Sequence, residues 1–130
     1  AGATDLISMY SQTDIPSFYE TYLGPLPWEN FDLYEERSSY RQVAEAETPL
    51  LIQVGEEDER VPAEQSIQFY EAAKRIGAAP AVKLVVYPGQ GHGVSEPRLR
   101  RDLMARNVRW FSRWIPTQEA RAAGYPAEEQ

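Results

Sequence analysis

The sequence predicts an α/β protein, with parallel strands and flanking helices preceded by a short helical excursion, on three observations. Two short apolar runs, residues 50–54 and 82–87, are each bounded by Pro or Gly. A stretch with helical periodicity separates the two runs, and a second such stretch follows the later run. Strands and helices that alternate with short links predict parallel pairing and right-handed crossovers.

The composition is that of one globular domain or part of one. The 130 residues are 42% hydrophobic and 25% charged, and they include no cysteine, which excludes disulfides and zinc–thiolate sites. A net charge of −7 argues against a nucleic-acid partner, because phosphate binding needs a basic surface. No run approaches the ~20 apolar residues of a membrane span, and no secretory signal occurs at Ala1. We therefore expect no membrane partner and a cytoplasmic location.

We predict that residues 4–40, about the first third of the chain, form the helical excursion. Residues 4–40 are rich in aromatic residues and Pro, and their periodicity is poor. We predict short helices at residues 5–9, 16–23 and 29–37, separated by Pro- and Gly-containing breaks. Such a segment is typical of short helices that pack over the main fold and do not form part of its framework.

The remaining elements are more regular. The run Leu50–Val54 predicts a buried strand. A helix then begins near Pro62 and ends at Gly77, with one apolar stripe that comprises Ile67, Tyr70 and Ala73. The run Val82–Tyr87 predicts the second strand.

A last helix, from about Arg98 to Trp114, follows with Ser95 as a plausible N-cap and Pro116 as its stop. Its predicted apolar face comprises Leu99, Leu103, Trp110, Phe111 and Trp114. Residues 117–130 are expected to form a frayed tail. Two strands are few for a parallel sheet, so we expect that further strands lie elsewhere.

Two polar loops follow the two strands. The first is the acid loop, residues 55–62, and the second is the histidine loop, residues 88–93, which carries His92, the only histidine. The carboxyl ends of adjacent parallel strands lie on one rim, so an acid and the histidine are expected to meet there. The order of acid before histidine is that of the α/β-hydrolase triad. The flanking glycines would let the backbone turn sharply and leave room for a substrate.

Simpler interpretations remain open at this point. A lone histidine among glycines is more often a turn residue, and a run of acidic residues is more often a solvated loop. Calcium binding is disfavoured because the acid loop lacks the alternating ligands of an EF-hand. Zinc is disfavoured by the single histidine and the lack of cysteine. We expect neither a metal nor a cofactor.

The sequence offers no nucleophile of the usual kind. No Gly-x-Ser-x-Gly motif occurs, and the nearest segment, residues 93–97, lies behind the histidine and lacks the second glycine. Ser8, Ser11 and Ser17 lie in the helical excursion without a strand–turn–helix context. We expect the nucleophile upstream of Ala1.

Residues 1–116 resemble the catalytic domain of the prolyl oligopeptidase family of serine peptidases, with acylaminoacyl-peptidase-like members closest. The matching segments are Ala3–Leu6, Pro27-Trp28-Glu29, Thr48–Pro62 with Gln65 and Phe69-Tyr70, Tyr87–Gly93, and Trp110-Phe111. The resemblance implies the C-terminal portion of an α/β-hydrolase fold in residues 1–116, cut after the nucleophile. A β-propeller and most of the hydrolase sheet would precede it.

The resemblance also implies the roles of individual residues. Asp58 matches the triad acid and His92 the triad base, while Arg60 matches an arginine that contacts a substrate backbone carbonyl. Without that role, Arg60 would form an ion pair with Glu56, Glu57 or Glu59. The function implied is hydrolysis of peptide or acyl-peptide bonds, with a peptide as substrate.

Because the serine is missing, we expect the chain alone to be inactive. The alternative is an inactive binding module that self-associates, as a homo-oligomer, through an exposed edge of the first strand. That edge would otherwise pair with the missing N-terminal part of the domain.

Overall fold

The computed structural model describes residues 2–115, which fall into two compact units, residues 2–94 and residues 95–115. In chain order the elements are α1 (Leu6–Gln12), α2 (Pro16–Leu23), α3 (Phe31–Glu36), a 3₁₀ helix (Ser39–Glu45), β1 (Leu50–Gly55), α4 (Ala63–Ile76), β2 (Val82–Tyr87) and α5 (Pro97–Trp114). The predicted stop at Pro116, the boundary that follows it and the tail 117–130 lie outside the described residues. Among residues 2–115, no helix has the length and apolar character needed to cross a membrane.

The two predicted strands form a parallel pair. Leu50 lies opposite Val82 and Gly55 opposite Tyr87, so β1 and β2 end at the same level. Val54 and Tyr87 are buried near these ends, and the Tyr87 hydroxyl donates to Gln53 Oε1 at 2.7 Å. The flush ends place the acid loop and the histidine loop side by side.

Helix α4 provides the crossover between the strands. It begins after Pro62, and Gly77 ends it in the left-handed conformation at φ 69°. The predicted apolar stripe is wrong in part, because Ala73 is buried whereas Ile67 is exposed. The buried face of the helix instead includes two polar residues, Gln65 and Ser66.

The burial of Gln65 explains why polar residues occupy this face. Its Oε1 accepts the backbone N–H groups of Thr4 and Asp5 at 3.0 and 2.9 Å. Its Nε2 donates to Ser8 Oγ and Gln12 Oε1, both at 3.0 Å. One side chain of α4 therefore fixes the start and the end of α1.

The predicted helical excursion is confirmed, with shifted helix ends. Asp5 caps α1, since its side chain accepts the N–H of Ile7. Met9 and Tyr34 are almost wholly buried and form the core of this segment. The 3₁₀ helix that follows was not predicted.

The second unit contains α5, which begins at Pro97. The N-cap is Glu96, whose carboxylate accepts the N–H of Leu99 at 2.8 Å, so the expected cap at Ser95 is wrong. A glutamate can reach this N–H group from the cap position and also places negative charge at the helix N-terminus. Four residues of the predicted apolar face are half-buried, but Phe111 is 58% exposed.

Candidate active site

The acid loop holds one carboxylate in a fixed position. Asp58 is 4% exposed, and its Oδ1 accepts the backbone N–H groups of Arg60 and Val61 at 3.0 and 2.9 Å. Aspartate favours such turns because its short side chain can bond to the backbone two or three residues later. These two bonds fix the orientation of the carboxylate.

The histidine loop leaves β2 through a tight turn. Gly89 has φ 63°, a conformation that favours glycine, and Gln90 N–H donates to the Tyr87 carbonyl at 3.3 Å. The glycines next to His92 do not have positive φ, so the sharp turn expected of them occurs at Gly89 instead. The side chain of His92 is 55% exposed.

Hydrogen bonds join the acid loop to the end of β2 and to the histidine loop. Glu56 N–H donates to the Tyr87 carbonyl at 2.9 Å, and Glu57 N–H donates to the Gln90 carbonyl at 2.8 Å. Gly89 N–H donates to a carboxylate oxygen of Glu56 at 3.1 Å. These contacts tie the position of the acid loop to that of the histidine loop.

Gly55 makes this approach possible. A Cβ atom at this position would overlap the carbonyl oxygens of Gln90 and Gly91. In the sequence, Gly55 indicates only the end of a strand. A glycine at the start of the acid loop was the available signal, but the need for it depends on the distance to the histidine loop.

The structure brings the predicted acid and base together. His92 Nδ1 lies 3.1 Å from Asp58 Oδ1 and 3.1 Å from Asp58 Oδ2. A carboxylate at this nitrogen selects the tautomer with the proton on Nδ1, which leaves Nε2 as the proton acceptor. The buried acid and the half-exposed imidazole therefore form a polarised pair at the rim of the sheet.

Arg60 lies beside this pair but not in the ion pair that the sequence suggested. Its Nε and Nη2 donate to the two carboxylate oxygens of Asp14 at 2.7 and 3.1 Å. The hydrogen bond from Arg60 holds the pKa of Asp14 below its ordinary value. The same bond raises the pKa of the Arg60 guanidinium.

Asp14 lies beside the candidate site, and its contact with Arg60 was not predicted from the sequence. It lies in the break between α1 and α2, where Asp-Ile-Pro was noted only as a helix boundary. Its backbone N–H donates to the Glu59 carbonyl at 3.0 Å, which joins this break to the acid loop. An acidic residue two positions before a proline does not indicate such a contact.

An open cavity of about 410 Å³ lies beside the acid loop, with Glu56, Glu57 and Glu64 among its lining residues. Within residues 2–115, no group of three or more His, Cys, Asp or Glu side chains is arranged to hold a metal ion.

Comparison with known proteins identifies the family. The sequence model that describes the prolyl oligopeptidase family matches residues 1–118 of this chain. The acylamino-acid-releasing enzyme of Mus musculus is 31% identical over 115 residues, or 82% of this chain and 15% of that protein. The uncharacterized peptidase YuxL of Bacillus subtilis is 34% identical over 110 residues, or 84% of this chain and 16% of that protein.

Solved structures show the same fold. The acylaminoacyl peptidase of Pyrococcus horikoshii superposes with a TM-score of 0.82 at 26% identity, covering 90% of this chain and 20% of that one. An acylaminoacyl peptidase in complex with Z-Gly-Gly-Phe-chloromethyl ketone superposes with a TM-score of 0.80 at 26% identity, covering 88% and 19%. The α/β-hydrolase fold expected from the sequence is thereby confirmed.

These relatives are much longer than the residues compared, since the chain spans no more than one-fifth of each. Within that span, the match includes both strand ends and the two loops that follow them. The chain therefore belongs to the prolyl oligopeptidase family of serine peptidases.

Proposed function

We propose that this chain supplies the acid and the base of a Ser–Asp–His triad in a peptidase that hydrolyses peptide or acyl-peptide bonds. The observation that carries this proposal is the contact of His92 Nδ1 with both carboxylate oxygens of Asp58. The names of the relatives and the peptide-like ligand bound to one of them support a peptide substrate.

In the proposed reaction, His92 Nε2 takes the hydroxyl proton of the serine while the serine oxygen bonds to the carbonyl carbon of the substrate. Asp58 stabilises the imidazolium that forms and keeps the ring in the required orientation. His92 then gives the proton to the leaving amine, and the acyl-enzyme is hydrolysed by water with the same residue as base. The backbone bonds of Arg60 and Val61 to Asp58 hold the acid in place throughout.

Arg60 has a binding role in this proposal. Its guanidinium donates a hydrogen bond to a backbone carbonyl of the substrate, as the family resemblance implies. The arginine lies two residues after the triad acid and shares a hydrogen-bonded turn with it. Substrate binding and triad geometry therefore depend on the same short loop.

The serine belongs to a different part of the protein. This chain contains no Gly-x-Ser-x-Gly segment. We propose that the nucleophile and the oxyanion hole are contributed by residues before Ala1, and that the N-terminal part of the hydrolase domain is the partner that completes the site.

The test uses the complete peptidase encoded by the reading frame that contains this chain. We expect His92→Ala and Asp58→Asn each to lower kcat for a peptide substrate by about 10⁴-fold or more. The matched control is Glu36→Gln, which removes a surface carboxylate 3.8 Å from Arg37 and leaves kcat unchanged. Wild-type kcat in a folded His92→Ala variant would contradict the proposal.

A second candidate is a self-associating module. Within residues 2–115 the sheet consists of β1 and β2, so each strand has one side without a neighbouring strand there. Unpaired strand edges favour association with other strands. Under this proposal the 130-residue chain forms homo-oligomers through β1, and the N-terminal part of the domain competes with this pairing. Light scattering that gives a monomer mass at high concentration would contradict it.

A further inference from the structure

We propose that Asp14 is a positioning residue of the active site, which holds the Arg60 guanidinium in one orientation beside the Asp58–His92 pair. The inference rests on the proposed function, in which Arg60 donates to a substrate carbonyl. Asp14 itself touches neither the substrate nor the reacting atoms.

The first support is the geometry of the ion pair. Arg60 Nε and Nη2 donate to Asp14 Oδ1 and Oδ2 at 2.7 and 3.1 Å, which is a two-bond, fork-like contact. Both side chains are partly exposed, at 44% for Arg60 and 36% for Asp14. Exposed ion pairs generally add only modestly to stability, and a contact of two hydrogen bonds also fixes the direction of the guanidinium.

The second support is that both backbones of the pair are anchored to each other. Asp14 N–H donates to the Glu59 carbonyl at 3.0 Å. Thr13 Oγ1 donates to the Arg60 carbonyl at 2.8 Å and also accepts the N–H of Ile15 at 3.2 Å. Because the backbone is fixed at each end, the ion pair leaves the guanidinium few orientations.

The third support is the donor inventory of arginine. The guanidinium has five N–H donors in one plane, and Asp14 engages two of them. The other three N–H groups, which do not bond to Asp14, can donate to a carbonyl oxygen of the substrate. With its orientation set in advance, Arg60 loses less freedom when the substrate binds.

The fourth support is continuity with the triad. Arg60 N–H donates to Asp58 Oδ1, the same atom that faces His92 Nδ1. A displacement of the Arg60 backbone therefore changes the position of the triad acid.

The experiment compares two substrates in the complete peptidase. One is a peptide p-nitroanilide, which offers backbone carbonyls to Arg60, and the other is p-nitrophenyl acetate, which has none beyond the reacting ester. We expect Asp14→Asn to lower kcat/KM for the peptide about 10-fold, mainly through a higher KM, because the amide removes one acceptor and the charge. Hydrolysis of p-nitrophenyl acetate is expected to stay within about 2-fold of wild type.

A double-mutant cycle separates positioning from general damage. In an Arg60→Met background, adding Asp14→Asn is expected to have no further effect on the peptide, because the oriented group is gone. Asp14→Glu keeps the carboxylate and is expected to recover part of the loss. Glu36→Gln is the matched control, as a carboxylate in another surface ion pair.

The outcomes distinguish this inference from the proposed function. Equal rates for wild type and His92→Ala on both substrates would contradict the proposed function. That comparison involves no Asp14 variant, so it tests the proposed function separately. Three results would overturn the positioning role. They are an Asp14→Asn variant with wild-type kcat/KM for the peptide, an equal fall in kcat/KM for both substrates, and additive effects of the two substitutions in the double-mutant cycle. Should Asp14→Asn fold poorly, the same criteria apply to Asp14→Glu, with a smaller expected loss.

Discussion

Gly55 at the end of β1 meets the carbonyl group of Gln90 in the histidine loop so closely that a Cβ atom would overlap it. The next two residues of the chain donate backbone hydrogen bonds to neighbouring carbonyls, Glu56 at 2.9 Å to Tyr87 at the end of β2 and Glu57 at 2.8 Å to Gln90 in the histidine loop. The distance between Asp58 and His92 is therefore set by backbone contacts as well as by their side chains.

We predict that Gly55→Ala destabilises the chain by about 1 to 3 kcal/mol, because the methyl group must push two backbone carbonyls aside. Displacement of the histidine loop by an ångström is expected to lower kcat of the complete peptidase about 100-fold. Urea unfolding and steady-state kinetics measure the two effects.

Gly93→Ala provides the matched control for stability. An added Cβ at Gly93 meets no atom within 4 Å, and the backbone φ is ordinary for any residue. The unfolding free energy is expected to stay within about 0.5 kcal/mol of wild type. Equal losses in the two variants would mean that close approach at Gly55 is not what matters.

The sequence predicted those features of the site that depend on local contacts. β1, α4 and β2 were predicted because apolar runs and the residues that bound them determine such elements. The meeting of Asp58 and His92 was predicted because parallel topology brings the ends of neighbouring strands together. Neither step required any knowledge of how the loops fold.

The errors concern contacts between distant segments. Periodicity predicts Ile67 in the core, but the buried face of α4 includes Gln65, whose side chain accepts backbone N–H groups more than 50 positions away. Asp14 and Gly55 were overlooked for the same reason. Their roles exist only once two loops have approached each other.

A second prediction concerns Gln65, which is 1% exposed. We expect Gln65→Leu to lower the unfolding free energy by about 2 to 4 kcal/mol, because the backbone N–H groups of Thr4 and Asp5 lose their acceptor inside the protein. Urea unfolding followed by circular dichroism measures the change.

The matched control lies one helical turn later on α4. Gln68 is half-buried, and its Nε2 donates to Thr4 Oγ1 at 3.2 Å, so Gln68→Leu leaves no backbone donor without an acceptor. We expect a cost of less than about 1 kcal/mol. A loss at Gln65 no larger than that at Gln68 would refute the account of its burial.

A third prediction concerns the isolated chain. We expect a fluorophosphonate probe, which reacts with activated serines, to leave the 130 residues unlabelled. The pair Asp58–His92 activates a serine only when one stands at Nε2. Labelling is expected after the complete peptidase is assembled and is expected to be lost in His92→Ala. A labelled serine within the isolated chain would overturn the assignment of the nucleophile to residues before Ala1.

A fourth prediction concerns acid stability and follows from Asp14. The hydrogen bond from Arg60 lowers the pKa of Asp14 in the folded protein below its ordinary value of 3.8. A carboxyl group with a depressed pKa in the folded state contributes stability that is fully present above the unfolded pKa. This contribution is lost as the pH falls through the folded pKa.

The difference in stability between wild type and Asp14→Asn should therefore be constant above about pH 5 and shrink below about pH 4. The measurement is the urea midpoint of each protein at a series of pH values, in low salt. Because the ion pair is exposed, ~1 M salt is expected to reduce the difference at neutral pH by screening. A stability difference between wild type and Asp14→Asn that grows on acidification would have the wrong sign for a depressed carboxyl pKa. It would show that Asp14 is protonated more readily in the folded state than in the unfolded one.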